Sequence, residues 1–198
     1  MDRRTISLTL KDGSRAVIRD VRAEDGPALL RGFAELSPQS RVFRFLHYVE
    51  RLSDAEVARY TTVDRPHHEA IGALVEVRGQ EIPAGIAHFF RARGACERAE
   101  MALTVIDRFQ GRGLGVLLLG RLMHVAVGRG VRQFDALVHV RNEGMIHILR
   151  KLGSTERIEE GTRIFRLPLH SDPADYPKTS VGDAVRRAYA LAPDARAA

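Results

Sequence analysis

Residues 106–115, IDRFQGRGLG, constrain the fold of this chain more than any other stretch. They stand between a strand pattern and a helix pattern and place Gly111, Gly113 and Gly115 within five residues. The first amides of a helix lack partners and carry the positive end of its dipole, and glycine lets an anion approach the backbone closely. A strand, a glycine loop and a helix in this order predict a phosphate-binding site, with Arg112 available to neutralise charge.

Two common phosphate motifs do not fit this loop. A Walker loop needs Gly-Lys-Ser or Gly-Lys-Thr, neither of which occurs in the chain. A dinucleotide fingerprint needs a further glycine where Leu118 stands and an acid at the end of the next strand, whereas Asp135 lies at the start of that strand. An ordinary tight turn is the remaining alternative, but the flanking strand and helix both favour the phosphate interpretation.

Hydrophobic periodicity and helix caps predict the order of the other elements. The predicted order is a strand (15–22), a helix within 23–37, a loop (37–47), a helix (53–60), a hairpin (70–78 with 84–92), a strand (100–106), the glycine loop with its helix (114–128), a strand (134–140), a helix capped by Asn142 and a hairpin (156–169). Residues 1–170 are therefore expected to form one domain. Residues 171–198 are rich in Pro, Asp, Ala and Arg and are expected to be a poorly structured tail with at most one short helix around 184–191.

Composition limits the class of protein and its partners. No apolar run approaches the roughly 20 residues of a membrane span, and no signal peptide is visible, so we expect a cytoplasmic protein without a membrane partner. The 31 Lys and Arg against 25 Asp and Glu give a net charge of +6, which favours anionic ligands or acidic partner surfaces. No nucleic-acid-binding signature is present. A single cysteine, Cys96, argues against an internal disulfide or a Cys-based zinc site, and no metal is predicted.

The glycine loop resembles the acetyl-CoA pyrophosphate loop of the GNAT N-acetyltransferase superfamily, and the order of elements agrees over roughly residues 15–169. The resemblance implies an α/β (α+β) GNAT fold, in which a mixed, mostly antiparallel sheet is flanked by helices and acetyl-CoA enters a splay between strands 100–106 and 134–140. It also implies these cofactor-binding residues: Val105, Gln110, Gly111, Arg112, Gly113, Leu114, Gly115 and Asn142.

A narrower resemblance lies upstream, in LKDGSRAVIRDVRAEDGPALLRGFAELSPQSRVFRFLH followed by LSDAEVARYTTVD. These segments are similar to the start of the GNAT domain in bacterial Pat-type protein lysine acetyltransferases. The similarity implies direct transfer of an acetyl group to a lysine of a protein acceptor, for which an acyl-CoA synthetase is one candidate. The stretch 37–47 would border the acceptor site. Phe43, Phe45 and Tyr48 could then bind the aliphatic arm of the acceptor lysine, and Arg41 or Arg44 could bind an acidic surface. Equally, the aromatic residues could belong to the core and the arginines to a solvated face.

The resemblance assigns catalytic roles to two residues and gives no residue for the general acid. Only about one lysine amine in 2,500 is neutral at pH 7, so a base is useful, and Glu100 falls on the position of the general base in Pat-type enzymes. A solvated strand-end glutamate is the alternative. The backbone N–H of Val105 corresponds to the donor that stabilises the thioester oxygen. Leu149 stands where many members have a tyrosine general acid, and no general acid is assigned.

Two other functions remain open from the sequence. One is a small-molecule N-acetyltransferase acting on a polyamine, an amino acid or an antibiotic amine. The other is a non-catalytic acyl-CoA-binding sensor, which the missing tyrosine keeps open. The acceptor and the choice between monomer and dimer are not determined.

Overall fold

The computed structural model describes residues 5–64, 67–91, 94 and 97–191. Within them, eight strands form one sheet: β1 (Ile6–Thr9), β2 (Arg15–Asp20), β3 (His68–Val77), β4 (Gln80–Phe90), β5 (Arg98–Val105), β6 (Gln133–His139), β7 (Thr155–Glu159) and β8 (Thr162–Pro168). The same residues contain the helices α1 (Gly26–Ala34), α2 (Pro38–Phe45), α3 (Asp54–Thr61), α4 (Leu114–Gly128), α5 (Glu143–Lys151) and α6 (Ser180–Ala190). None of these helices has the length and apolar character needed to cross a bilayer.

The sheet has the order β1-β2-β3-β4-β5-β6-β8-β7, and its one parallel pair is β5 with β6. That pair matches only Arg98–Glu100 with Gln133–Asp135. Beyond Glu100, β5 pairs with β4 alone, while β6 continues against β8. The strands therefore separate in the middle of the sheet, and the predicted mixed, mostly antiparallel α/β fold with a splay is confirmed.

The two faces of the sheet are covered by different helices. Ile86 and His88 of β4 line a cavity beneath α1, α2 and α3. Gly85 points to the other face, where an added Cβ would lie 3.0 Å from Leu118 of α4. Helix α4 is apolar around most of its circumference because it packs between the sheet and α6, and its buried residues include Leu118, Leu119, Leu122 and Met123.

Two segments differ from their sequence-based expectation. Residues 37–47, predicted as a loop, contain helix α2, whose N-cap is Ser37 and whose C-cap Leu46 adopts a left-handed backbone with φ 63°. The loop prediction was wrong: α2 has only eight residues, and its apolar side chains Val42, Phe43 and Phe45 all lie in its second half, so the sequence shows no repeated helical period. Strand β1 was not predicted, and it owes its place to pairing with β2 through the turn at Asp12 and Gly13.

Helix α6 lies where a poorly structured tail with at most one short helix was expected. It begins at Ser180, four residues before the start of the helix that the sequence predicted, and Val181, Val185 and Ala188 are buried. The buried Arg121 of α4 donates hydrogen bonds to the carbonyl oxygens of Ala188 and Leu191, which stabilises the C-terminal end of α6. The domain boundary at residue 170 stays a prediction.

Candidate active site

The glycine loop presents backbone amides at the start of α4. Gly111 and Gly113 have φ values of 73° and 88°, which only glycine adopts without strain. The amides of residues 111–113 donate no hydrogen bond to any described residue, and the first helical bond of α4 runs from the Leu117 amide to the Gly113 carbonyl oxygen. The positive end of the helix dipole reinforces these amides, so the loop suits an anionic group.

Strand β5 holds the loop in place. The Gln110 side chain donates a 2.9 Å hydrogen bond from Nε2 to the carbonyl oxygen of Val105. The side chain of Leu114 is buried, and a Cβ added to Gly115 would contact the side chains of Val105 and Leu103 at 3.6 and 3.7 Å. The predicted loop residues are thus brought together with the end of the strand.

The side chain of Arg112 is engaged elsewhere. Its guanidinium donates to Asp12 Oδ2 at 2.5 Å and to the carbonyl oxygen of Arg108 at 2.6 Å. Hydrogen bonds from Ser14, together with the charge of Arg112, hold the pKa of Asp12 below its usual value. The sequence had predicted that this cation is available for phosphate, but its side chain is paired with Asp12 of the β1–β2 turn, and its backbone amide is the group without a hydrogen-bond partner among the described residues.

Asp107 is a site residue that the sequence analysis missed. Its carboxylate accepts hydrogen bonds from the Ser37 hydroxyl at 2.7 Å, the Ser37 amide at 3.1 Å and the Ser40 hydroxyl at 2.8 Å. Burial tends to raise the pKa of Asp107, but these bonds outweigh burial and lower it. Asp107 therefore ties the N-terminus of α2 to the glycine loop. The Ser-Pro pair at 37–38, a common helix start, was the signal that could have indicated α2.

A cleft of about 30 Å³ lies where β5 and β6 diverge. Its lining comprises Phe43, Arg44, Met101, Ala102, Leu103, Ala136, Leu137, Val138, Asn142 and Met145. The Ile106 amide bonds to the carbonyl oxygen of Ala84 in β4, and successive amides of a strand point to opposite edges, so the Val105 amide points toward the cleft. Asn142 lines the cleft and also caps α5, accepting from the Met145 amide at 3.2 Å.

A second cavity, of about 100 Å³, lies between α1–α3 and the sheet. Its walls are mostly apolar, and its polar members include Arg44, His88 and Tyr60. Phe45 lines this cavity and packs on Phe33 with ring centroids 6.0 Å apart, whereas Phe43 lines the cleft. The two aromatic side chains of α2 thus line different cavities.

The remaining aromatic and cationic residues of the 37–48 stretch have separate roles. Tyr48 is 59% exposed. Arg41 stacks on Phe33 and donates to the carbonyl oxygens of Leu36 and Glu50, so it holds the local backbone rather than an acceptor.

The half-buried Arg44 and the buried His88 form a polar pair. Arg44 Nη2 lies 2.8 Å from His88 Nε2. A guanidinium only donates, so Nε2 of His88 accepts and the imidazole is neutral with its proton on Nδ1. Burial lowers the pKa of Arg44, while Tyr60 and the carboxylate of Glu100 act in the opposite direction. Burial and the charge of Arg44 hold the pKa of His88 well below its usual value.

Glu100 lies at the rim of the face that α1–α3 cover. It is paired with Phe90 of β4 and Asp135 of β6, and it is close enough to Arg44 to influence that side chain electrostatically. Glu100 is exposed, because it stands near the start of β5. Leu149, at the position of the absent tyrosine, is fully buried in α5.

The described residues contain no group of three or more His, Cys, Asp or Glu side chains placed to hold a metal ion. Cys96 lies outside the described residues.

Comparison with known proteins gives a consistent set of similarities. Residues 15–155 match the family described as Acetyltransferase (GNAT) domain. Acetyltransferase PA5475 of Pseudomonas aeruginosa is 32% identical over 147 residues, which cover 73% of this chain and 77% of that protein. Acetyltransferase Pat of Mycolicibacterium smegmatis is 30% identical over 149 residues, which cover 75% of this chain and 44% of Pat.

Solved structures agree with these matches. The crystal structure of the GNAT domain of S. lividans PAT superposes with a TM-score of 0.75 at 28% identity, covering 83% of this chain and 97% of that domain. The region matched by the family, residues 15–155, includes Glu100, the glycine loop and the residues that line the cleft.

Proposed function

The chain belongs to the GNAT acetyltransferase family, an acetyl-CoA-dependent family of N-acetyltransferases, and from this membership we propose that it acetylates lysine side chains of a protein acceptor. The observation that carries the proposal is the similarity to Pat. Pat of M. smegmatis matches over 149 residues, and the GNAT domain of S. lividans PAT shares 28% identity as well as the fold. The chain spans 44% of the length of the M. smegmatis protein, so the similarity concerns the acetyltransferase part alone.

The geometry supports the following placement of acetyl-CoA. The amides of Gly111, Arg112 and Gly113, with the dipole of α4, would bind the pyrophosphate. The cleft would hold the pantetheine arm, with Asn142 at the side, and would bring the thioester carbonyl to the Val105 amide. An amide fixed at the position where negative charge develops stabilises a tetrahedral intermediate, typically by about 3 kcal/mol.

Glu100 is the residue that we propose as general base. Its carboxylate lies on the sheet face that also carries His88 and the larger cavity, so an acceptor lysine can approach from the side of α1–α3 while acetyl-CoA occupies the cleft. The carboxylate would accept a proton from the amine directly or through a water molecule. Because Glu100 is exposed, it also suits an acceptor that docks on the surface, such as a protein loop.

The charge balance supports a protein partner with an acidic surface. The net charge is +6, and the exposed Arg59 on α3 lies over the ring of Phe90, next to the register position of Glu100. An acyl-CoA synthetase acting in the cytoplasm is the acceptor that we propose to test first.

The test is mass spectrometry of acetyl-lysine on purified acyl-CoA synthetase and on deacetylated lysate proteins, with acetyl-CoA as donor. We expect site-specific acetylation above the non-enzymatic background, and a fall of roughly 100-fold or more with Glu100→Gln, because removing a general base typically costs that much. Glu97→Gln is the matched control, since Glu97 is also exposed and lies three residues away. It should retain wild-type activity.

The other outcomes separate the alternatives. No labelling of proteins, together with coenzyme A release on a panel of polyamines, amino acids and antibiotic amines, would replace the protein acceptor with a small-molecule amine. Binding of acetyl-CoA without turnover of any amine would indicate a sensor module. Equal activity of Glu100→Gln and the wild type would remove Glu100 from the mechanism.

A further inference from the structure

Arg44 lies between the two cavities of the candidate active site. Of the described residues, it is the one that lines both the cleft between β5 and β6 and the larger cavity beneath α1–α3. Its neighbours on α2 divide between the two spaces, with Phe43 in the cleft and Phe45 in the cavity. If acetyl-CoA enters from the cleft and the acceptor from the other side, the reacting atoms meet near this guanidinium.

The charge of Arg44 has no anionic partner within ion-pair distance. No carboxylate of the described residues forms a salt bridge with it, and its hydrogen-bond partner is the neutral imidazole of His88. Arg44 is half-buried, and removing part of a guanidinium from water without an ion pair costs free energy. Tyr60 and the Glu100 carboxylate favour its charged form without forming an ion pair, so negative charge on a ligand would stabilise the guanidinium further.

The guanidinium is also held in one position. His88 accepts its hydrogen bond at 2.8 Å, and the ring centroids of Phe45 and Tyr60 lie 4.8 and 5.4 Å from its Cζ atom. Cation–π contacts and a partly buried hydrogen bond restrict the side chain before substrate arrives. A fixed charge in a water-poor site stabilises developing charge more strongly than a mobile one.

We propose that Arg44 is a catalytic residue that stabilises the sulfur of coenzyme A as it leaves as a thiolate. Among the residues that line the cleft, all of them described, Arg44 is the only ionisable one. Leu149 is buried and has no ionisable proton to donate, so the tyrosine acid of other family members has no counterpart at that position. Arg44 supplies charge where those enzymes supply a proton. The inference rests on the proposed placement of acetyl-CoA.

The reaction then balances without a protein acid. The amine nitrogen attacks the thioester carbonyl carbon, and the new C–N bond forms while one amine proton passes to Glu100. The C–S bond breaks, and its electron pair stays on sulfur as a thiolate paired with Arg44. Coenzyme A leaves as the thiolate, or takes a proton from water on release.

The experiment measures the ionisation of bound coenzyme A. The ultraviolet absorbance of its thiolate is followed against pH in the protein complex, and the spectrum of the desulfo-CoA complex is subtracted. We expect the thiol to ionise at lower pH in the wild-type complex than in free coenzyme A, and Arg44→Met to reduce the ratio of thiolate to thiol about tenfold or more. Arg44→Lys should retain part of the shift, because it keeps the charge. Arg31→Gln removes the same charge from an exposed position of α1 that lines neither the cleft nor the larger cavity, and it should follow the wild type.

Kinetics supply the second readout. Arg44→Met should lower kcat by roughly 10- to 1000-fold with little change in the KM for acetyl-CoA, because the lost interaction forms only as charge develops. Arg44→Gln serves as a second neutral variant in case the methionine side chain prevents folding. A wild type that does not bind coenzyme A would overturn the placement of acetyl-CoA itself.

Two results would overturn the role of Arg44 while leaving the proposed function intact. One is a bound thiol that ionises alike in the wild type and the neutral variants. The other is a change confined to the KM for the acceptor, which would mean that Arg44 recognises an anionic group of the acceptor.

Discussion

His88 is a buried imidazole whose surroundings keep it neutral. Its side chain is 3% exposed, and Arg44, Tyr60, Arg59 and His68 face it from α2, α3 and β3. Burial is the main cause of its low pKa, and the neighbouring cations add to the effect. The neutral ring is what allows Nε2 to accept from Arg44, so the position of the guanidinium depends on this protonation state.

The pKa of His88 predicts how stability depends on pH. As the pH falls below about 6.5, the unfolded chain takes up a proton at this residue before the folded protein does. The contribution of His88 to the free energy of unfolding is therefore complete above that pH and decreases below it, by up to about 1.4 kcal/mol per pH unit. Urea unfolding between pH 7 and pH 5 should show this loss, and His88→Gln should flatten it. If the free energy of unfolding of His88→Gln fell with pH as steeply as that of the wild type, His88 would not be the source of the loss. Burial lowers the pKa of His68 too, so part of the pH dependence remains in the variant.

At the scale of single residues, the sequence predicted those with a local signature. The structure brings Gln110, Gly113 and Gly115 together as the loop pattern implied, and their binding of acetyl-CoA stays a prediction. His88 and Asp107 carry no such signature, and the sequence offered Arg44 only as a contact to an acidic surface or as part of a solvated face. Their importance comes from partners far along the chain, as with Ser37 and Asp107, which are 70 residues apart.

Among the elements, α4 and α6 are in unusually close contact at Gly120. A Cβ added there would lie 2.6 Å from Cβ of Ala188 and 3.3 Å from Cα of Val185. The first of these distances is shorter than any real carbon contact, so the helices can approach only because the residue is glycine. This contact holds α6 against α4, and the composition of the C-terminal segment did not indicate such packing.

Two glycine substitutions in α4 test this packing. Gly120→Ala should lower the free energy of unfolding by about 1 to 3 kcal/mol, since overpacking forces the helices apart. Gly128→Ala is the matched control: an added Cβ has no neighbour within 4 Å there, and better helix propensity should raise stability by roughly 0.5 kcal/mol. Chemical denaturation followed by circular dichroism measures both. Equal effects of the two substitutions would mean that α6 does not pack as described.

In the whole molecule, the sheet consists of two parts joined by a short parallel contact. Among the described residues, strands β1–β5 and the group β6, β8 and β7 are paired only at Arg98–Glu100 with Gln133–Asp135, next to the bonds from the Arg132 and Gln133 amides to the Glu97 carbonyl oxygen. The cleft opens directly beyond this contact. A ligand in the cleft that also reaches the start of α4 would contact both parts, and we expect binding to stabilise the fold as a unit.

Ligand linkage provides the measurement. Acetyl-CoA at about 100 times its Kd should raise the free energy of unfolding by about 2.7 kcal/mol. Gly113→Val, at φ 88°, should lose about 1 to 3 kcal/mol to backbone strain and also reduce the ligand effect to less than about 1.4 kcal/mol. Gly79→Val, at φ 78° in the β3–β4 turn, should suffer similar strain but keep the full ligand effect. A full effect in Gly113→Val would place the phosphates elsewhere.

The sequence by itself determined the glycine loop, the order of most strands and helices, and the family. These features are encoded by neighbours a few residues apart: alternation along a strand, apolar periodicity and caps along a helix, and glycines where φ is positive. Only the tertiary structure decided that 37–47 contains a helix, that α6 belongs to the core, that Arg112 pairs with Asp12, and that Arg44 meets His88 between two cavities. Those outcomes depend on burial and on contacts between distant segments, and the free energy of such contacts is set by what surrounds each side chain rather than by its position in a pattern.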